Sequence, residues 1–171
     1  MNLVFAARAL VLLMAGDAGI FSPHGEKAVV LLFVRSDCPV SNRYAPELQR
    51  LFRTYSPQGI DFLLVYPEAG LRESAMREHQ REYGYQIPAA LDVEHEYVER
   101  AGTRVTPEAA VFVQGKLRYR GRIDDWFVDI GKAIPQAAHH DLEDVLSAVL
   151  SGKTMAFRET RPVGCAIEIL K

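Results

Sequence analysis

The sequence predicts an α/β domain. Three observations carry this. Ala28-Val29-Val30-Leu31-Leu32-Phe33-Val34 is a continuous apolar, β-branched run of the kind a sheet buries on both faces. Apolar strand patterns then alternate with helical ones as far as Gly102. A hairpin pattern and a last amphipathic helix complete the order. The 171 residues suffice for one domain with a real core.

The elements read in chain order as follows. After the first strand, Arg35-Ser36-Asp37 ends the run and a helix starts at Cys38-Pro39, where proline costs no hydrogen bond. Tyr44, Leu48, Leu51, Phe52 and Tyr55 recur at helical spacing, and Pro46 is expected to kink the helix. Ser56-Pro57-Gln58-Gly59 is a turn, and Ile60 to Tyr66 a second strand. Leu71 to Tyr83 reads as an exposed helix stopped at Gly84. Ala89-Ala90-Leu91 is a short strand, and Glu94 to Ala101 a short helix ending at Gly102. Ala109 to Val113 and Lys116 to Gly121, joined by Gln114-Gly115, form a hairpin. Asp141 to Leu150 is the last helix, with Asp141 as its cap and Gly152 beyond it.

Composition excludes several classes. The formal net charge of −2 offers no basic footprint for nucleic acid. Two cysteines, Cys38 and Cys165, do not make a disulfide scaffold, and no CxxC or HxxxH element offers the usual zinc spacing. Residues 1–18 are read as an N-terminal signal or membrane anchor, against a core element or a misassigned start. Their apolar stretch is interrupted by Arg8 and closed by Gly16-Asp17-Ala18. A periplasmic or membrane-anchored location is slightly preferred to a cytoplasmic one. The main domain is taken as 19–155, with a C-terminal tail, 156–171, that carries Cys165.

Cys38 is the candidate nucleophile. A cysteine where a strand gives way to a helix meets first-turn N–H groups and the positive end of the helix dipole, and both favour thiolate. Arg35 or Arg43 would add to this and Asp37 would oppose it. The alternative is a small buried hydrophobe.

The segment Cys38-Pro39-Val40-Ser41, the pair Ala45-Pro46 and the run Arg104-Val105-Thr106-Pro107 together resemble the thioredoxin superfamily. Asp37 to Leu48, Tyr119 to Asp125 and Val163-Gly164-Cys165 are similar to bacterial redoxin-domain proteins related to the alkyl hydroperoxide reductase/thiol-specific antioxidant group. The resemblance implies a thioredoxin-like fold with a central mixed β-sheet flanked by helices. It implies that Pro107 is cis and faces Cys38, although an X-Pro bond is usually trans. It implies thiol–disulfide oxidoreductase or peroxiredoxin-like antioxidant activity, with a thiol or disulfide protein or a small peroxide as partner and no organic cofactor. Pro39, Thr106 and Pro107 would then line the substrate site. Two departures stand out. Ser41 replaces the second cysteine of CxxC, which removes the dithiol cycle within that motif. Arg35 stands three residues before Cys38, where peroxiredoxins carry threonine.

An oxidised Cys38 needs a second thiol, and Cys165 is the candidate resolving cysteine, with Pro162 and Gly164 suited to a turn that aims it. An unrelated tail thiol and resolution by an outside thiol are the alternatives. Ser41 is read either as a hydrogen-bond donor to the Cys38 thiolate or as a helix-terminus residue satisfying backbone N–H groups. Arg122 is a candidate substrate-binding residue, within Arg120, Arg122, Asp124 and Asp125, which otherwise read as a solvated strand end. Trp126 and Phe127 read as core. His139-His140-Asp141 raises a copper site with Cys38 as an alternative function, but no metal site is assigned. His24, His79 and His95 belong to no motif and are expected at the surface. A redox-inactive docking domain is the remaining alternative.

Overall fold

The computed structural model describes residues 26–168. The expected leader, 1–18, and His24 lie outside the described residues. A six-stranded sheet runs in the order β3-β2-β1-β5-β6-β9. Its strands are β1 (Ala28–Phe33), β2 (Ile60–Tyr66), β3 (Ala89–Leu91), β5 (Glu108–Val113), β6 (Lys116–Gly121) and β9 (Arg158–Glu159). β1, β2 and β3 are parallel neighbours, β5 joins β1 antiparallel, and the β5–β6 hairpin extends the sheet to β9. The sheet is therefore mixed.

All six residues of β1 are buried. The period of two sends Val30 and Leu32 to one face, and Val29, Leu31 and Phe33 to the other. On the first face pack α1 (Pro39–Tyr55) through Tyr44, Leu48 and Leu51, and α4 (Asp141–Leu150) through Leu142, Val145 and Leu146. α2 (Glu73–Glu82) adds Met76. On the second face α3 (Glu96–Ala101) contributes Tyr97, Val98 and Ala101. The result is a three-layer α/β domain with helices on both faces of the sheet.

Some details depart from expectation. α2 and α3 start two residues later than the pattern suggests. Phe127 is buried against Tyr44, as expected of core, and Arg43 stacks over Trp126 and Phe127. His79 and His95, expected at the surface, are each only 5% exposed. Each has a polar partner inside, which is how an imidazole tolerates burial: Tyr66 and Asn42 for His79, the Pro67 carbonyl for His95. Asp141 is not the cap of α4, because His140 occupies that place. Asp141 is instead buried and ion-paired to Arg122 and Arg158.

Five two- or three-residue strands lie outside the sequence pattern. They are β4 (Val105–Thr106), β7 (Phe127–Asp129), β8 (Lys132–Ala133), β9 and β10 (Cys165–Ala166). β10 pairs antiparallel with β4, with Cys165 opposite Thr106 and Ala166 opposite Val105. Among the described residues no helix is long and apolar enough to cross a membrane.

Leu48 has no solvent exposure and sits where α1 presses on the sheet. Leu48→Ala is expected to lower unfolding stability by about 2–5 kcal/mol through lost burial and a residual cavity. Urea denaturation of the oxidised chain measures it.

Candidate functional site

Residues 34–38 link β1 to α1, and Cys38 is the last of them. It has extended dihedrals (φ −90°, ψ 111°), its carbonyl accepts the Asn42 N–H at 3.0 Å, and Pro39 follows at the first helical position. Cys38 has no solvent exposure. Its sulfur is bonded to that of Cys165, with the two Cα atoms 6.0 Å apart and 127 positions apart in sequence. The Thr106–Pro107 peptide is cis, as the resemblance implied. The Thr106 carbonyl oxygen lies 3.3 Å from Cys38 Sγ, close enough to accept the S–H of a reduced thiol.

The tail reaches this corner by a series of backbone contacts. Thr160 N–H donates to the Arg120 carbonyl at 3.1 Å, and the Thr160 hydroxyl meets the Tyr119 hydroxyl at 2.7 Å and accepts the Arg122 N–H at 3.1 Å. Five residues later Cys165 is opposite Thr106, and Thr106 Oγ1 donates to the Cys165 carbonyl at 3.4 Å. The Ile167 N–H donates to the Arg104 carbonyl at 2.9 Å. Arg35 donates to the Ala166 carbonyl at 3.1 Å while both remaining arms of its guanidinium hold Asp37 at 2.9 Å.

Gly164 makes the docking sterically feasible. A Cβ there would lie 2.0 Å from the Thr106 carbonyl oxygen and 3.1 Å from Pro107 Cδ. The obstacles are backbone and a proline ring, neither of which can swing aside. Its role is therefore close approach rather than the turn expected from the sequence.

A half-buried polar chain lies on the other side of the corner. Glu68 accepts the Ser36 N–H at 2.8 Å and its hydroxyl at 2.6 Å. Asn42 donates to the Ser36 carbonyl at 3.0 Å and accepts from His79 Nε2 at 2.9 Å, while the Tyr66 hydroxyl donates to His79 Nδ1 at 2.8 Å. These partners select the neutral Nε2–H tautomer. Burial holds the His79 pKa below its ordinary 6.5, against the opposing charges of Glu68 and Glu82. Glu108, directly after Pro107, is pushed upward by burial, although it accepts the Arg104 N–H at 3.1 Å.

The other residues singled out from the sequence fall as follows. Ser41 is fully buried, and its hydroxyl accepts the Arg35 N–H at 3.5 Å, so it serves the backbone at the strand end. Pro39 follows Cys38 at the first position of α1 and is exposed, while the Thr106 carbonyl lies against Cys38 Sγ and Pro107 follows it across the cis bond. Arg122 holds Asp141 at 2.6 Å and lines a groove of about 1210 Å³ together with Arg104, Arg120, Arg161, Val163 and Gly164. Asp124 is buried, accepting from the Tyr44 hydroxyl at 2.5 Å and the Trp126 N–H at 2.9 Å. Among the described residues, Glu47, Asp124 and His140 bring one ligand atom each within 4.8 Å of one another, and neither cysteine joins them. Sequence reasoning gave no role to Asn42, Glu68 or Thr160 and expected His79 at the surface, because their roles depend on partners far away in the chain.

The comparisons accord with this geometry. The family model described as the AhpC/TSA family matches residues 20–121, more than half of the chain. The chain belongs to the AhpC/TSA family. No curated protein matches it. An uncharacterised conserved protein from Geobacillus kaustophilus is similar at 26% identity and TM-score 0.73, covering 84% of this chain and 77% of that one. A hypothetical protein from Sinorhizobium meliloti 1021 is similar at 22% identity and TM-score 0.73, covering 83% and 79%. A thioredoxin-like protein solved in its oxidised form is similar at 19% identity and TM-score 0.57, covering 76% and 82%. This AhpC/TSA chain thus has the thioredoxin-like fold, with its two cysteines joined in a disulfide.

Two outcomes follow from the site. Gly164→Ala is expected to unseat the tail and shift the Cys38–Cys165 equilibrium with glutathione at least tenfold toward the dithiol, about 1.4 kcal/mol. Quantitative thiol labelling at fixed glutathione ratios reads the shift. Separately, an imidazole whose pKa is lowered by folding leaves the unfolded chain to bind the proton first. Stability should be full above about pH 6.5 and should fall as pH drops from there toward the folded-state pKa. Denaturation midpoints across that range should show the fall in the wild type and a smaller one in His79→Gln.

Proposed function

We propose that this AhpC/TSA-family chain is a thiol–disulfide oxidoreductase in which Cys38 is the nucleophile and Cys165 the resolving cysteine. The observation that carries this reading is the Cys38–Cys165 disulfide at the start of α1, packed against the Thr106–Pro107 loop. It supports a cycle between two distant cysteines in place of one within CxxC.

In the reducing direction the Cys38 thiolate, favoured by the first-turn N–H groups and dipole of α1, attacks one sulfur of a substrate disulfide. That S–S bond breaks, and the departing sulfur leaves with the bonding pair as thiolate. The Cys165 thiolate then attacks Cys38 Sγ, forming the internal disulfide and releasing the second substrate sulfur. The substrate has gained two electrons and two protons, and an external dithiol restores the chain. Run backwards, the same steps oxidise a substrate dithiol. Disulfide exchange is preferred to a peroxide as oxidant because Arg35 stands three residues before Cys38, where peroxiredoxins carry threonine. The Thr106 carbonyl lies beside Cys38 Sγ, and Pro39, Thr106 and Pro107 are assigned to substrate contact.

The test is dithiol-driven reduction of a model protein disulfide. Cys38→Ser should abolish turnover. Cys165→Ser should accumulate a mixed disulfide on Cys38, visible by intact mass under non-reducing conditions. Undiminished turnover in Cys38→Ser would sink the reading.

A further inference from the structure

When oxidised, the chain's own tail shows what an occupant of the β4 edge must look like. Cys165 and Ala166 pair antiparallel with β4, with the cysteine opposite Thr106, and Gly164 bends the chain just before them. The place before the cysteine sits on the Thr106 carbonyl, where a Cβ would be 2.0 Å from the oxygen and 2.6 Å from the carbon. The place after it, held by Ala166, is exposed. The next place, held by Ile167, is buried at 8% exposure, and its N–H is paired to the Arg104 carbonyl. The constraint before the cysteine comes from Thr106 and Pro107 of the docking surface, so it applies to any polypeptide seated in the same register.

We infer that the partner of this site is an extended polypeptide segment of the pattern Gly-Cys-x-apolar, added to β4 in the place its own tail takes when oxidised. The inference rests on the thiol-exchange reading above and names its substrate class. The Cys38 thiolate attacks the sulfur of the segment's cysteine in a disulfide. That bond breaks, the other sulfur leaves as thiolate with the pair, and the segment becomes bonded to Cys38. Backbone pairing to Thr106 and Val105 supplies orientation, and glycine and the apolar place supply selectivity. Resolution is then the replacement of one strand by another, since segment and tail exclude each other from β4.

The experiment uses the full-length Cys165→Ser chain and three glutathione-capped octapeptides. The first is Arg-Pro-Val-Gly-Cys-Ala-Ile-Glu, the second has alanine in place of its glycine, and the third has serine in place of its isoleucine. Intact mass spectrometry follows which adduct forms on Cys38 and how fast. The glycine peptide should form the peptide adduct at least tenfold faster than the alanine peptide, with the serine peptide slower than the first. Equal peptide-adduct rates across the three, with glutathione or peptide adducts forming on Cys38, would overturn the partner class while leaving thiol exchange intact. Absence of any adduct with all three would overturn both.

Discussion

The backbone of Gly164 lies against the Thr106 carbonyl with no room for a side chain between them. The rest of the site depends on that contact. It lets β10 come within pairing distance of β4, and pairing places Cys165 beside Cys38. The Thr106 carbonyl is thereby shared: it supports the tail on one side and lies 3.3 Å from the Cys38 sulfur on the other. A single peptide group is thus in contact with both partners of the disulfide.

Delivery of Cys165 also relies on an anchor upstream. Thr160 is held by the Arg120 carbonyl, the Tyr119 hydroxyl and the Arg122 N–H, and Arg158 is held by buried Asp141. None of these contacts involves sulfur. The five-residue arm from Thr160 to Cys165 therefore starts from an anchor whose contacts do not depend on the disulfide. On the opposite side, the hydrogen-bonded chain Glu68–Ser36–Asn42–His79–Tyr66 braces the strand-to-helix corner.

Much of this frame was legible in the sequence. The apolar run at Ala28 to Phe33 became the central strand with every residue buried, and Cys38-Pro39 became the start of α1. Both signals are local and long enough for periodicity to speak. The tail was legible only as a segment carrying a second cysteine, since a strand of two residues has no period. Glycine before Cys165 was visible, but its reason was not, because the obstacle belongs to Thr106, far away in the chain. His79 misled for the same reason. Within its own polar helix it looks exposed, and only Tyr66 and Asn42 explain its burial. Asp141 read as a cap from its place in the chain, yet Arg122 and Arg158 turn it into a buried anchor.

The pairing of β10 with β4 has a bearing on how copies of the chain meet one another. An uncovered strand edge presents unmatched N–H and C=O groups, a template for association with any other chain. In the oxidised chain the tail covers β4, so the disulfide doubles as a clasp over an adhesive edge. Were the disulfide opened, β4 would rely on its brevity, two residues, and on the backbone pairing of the tail to stay covered.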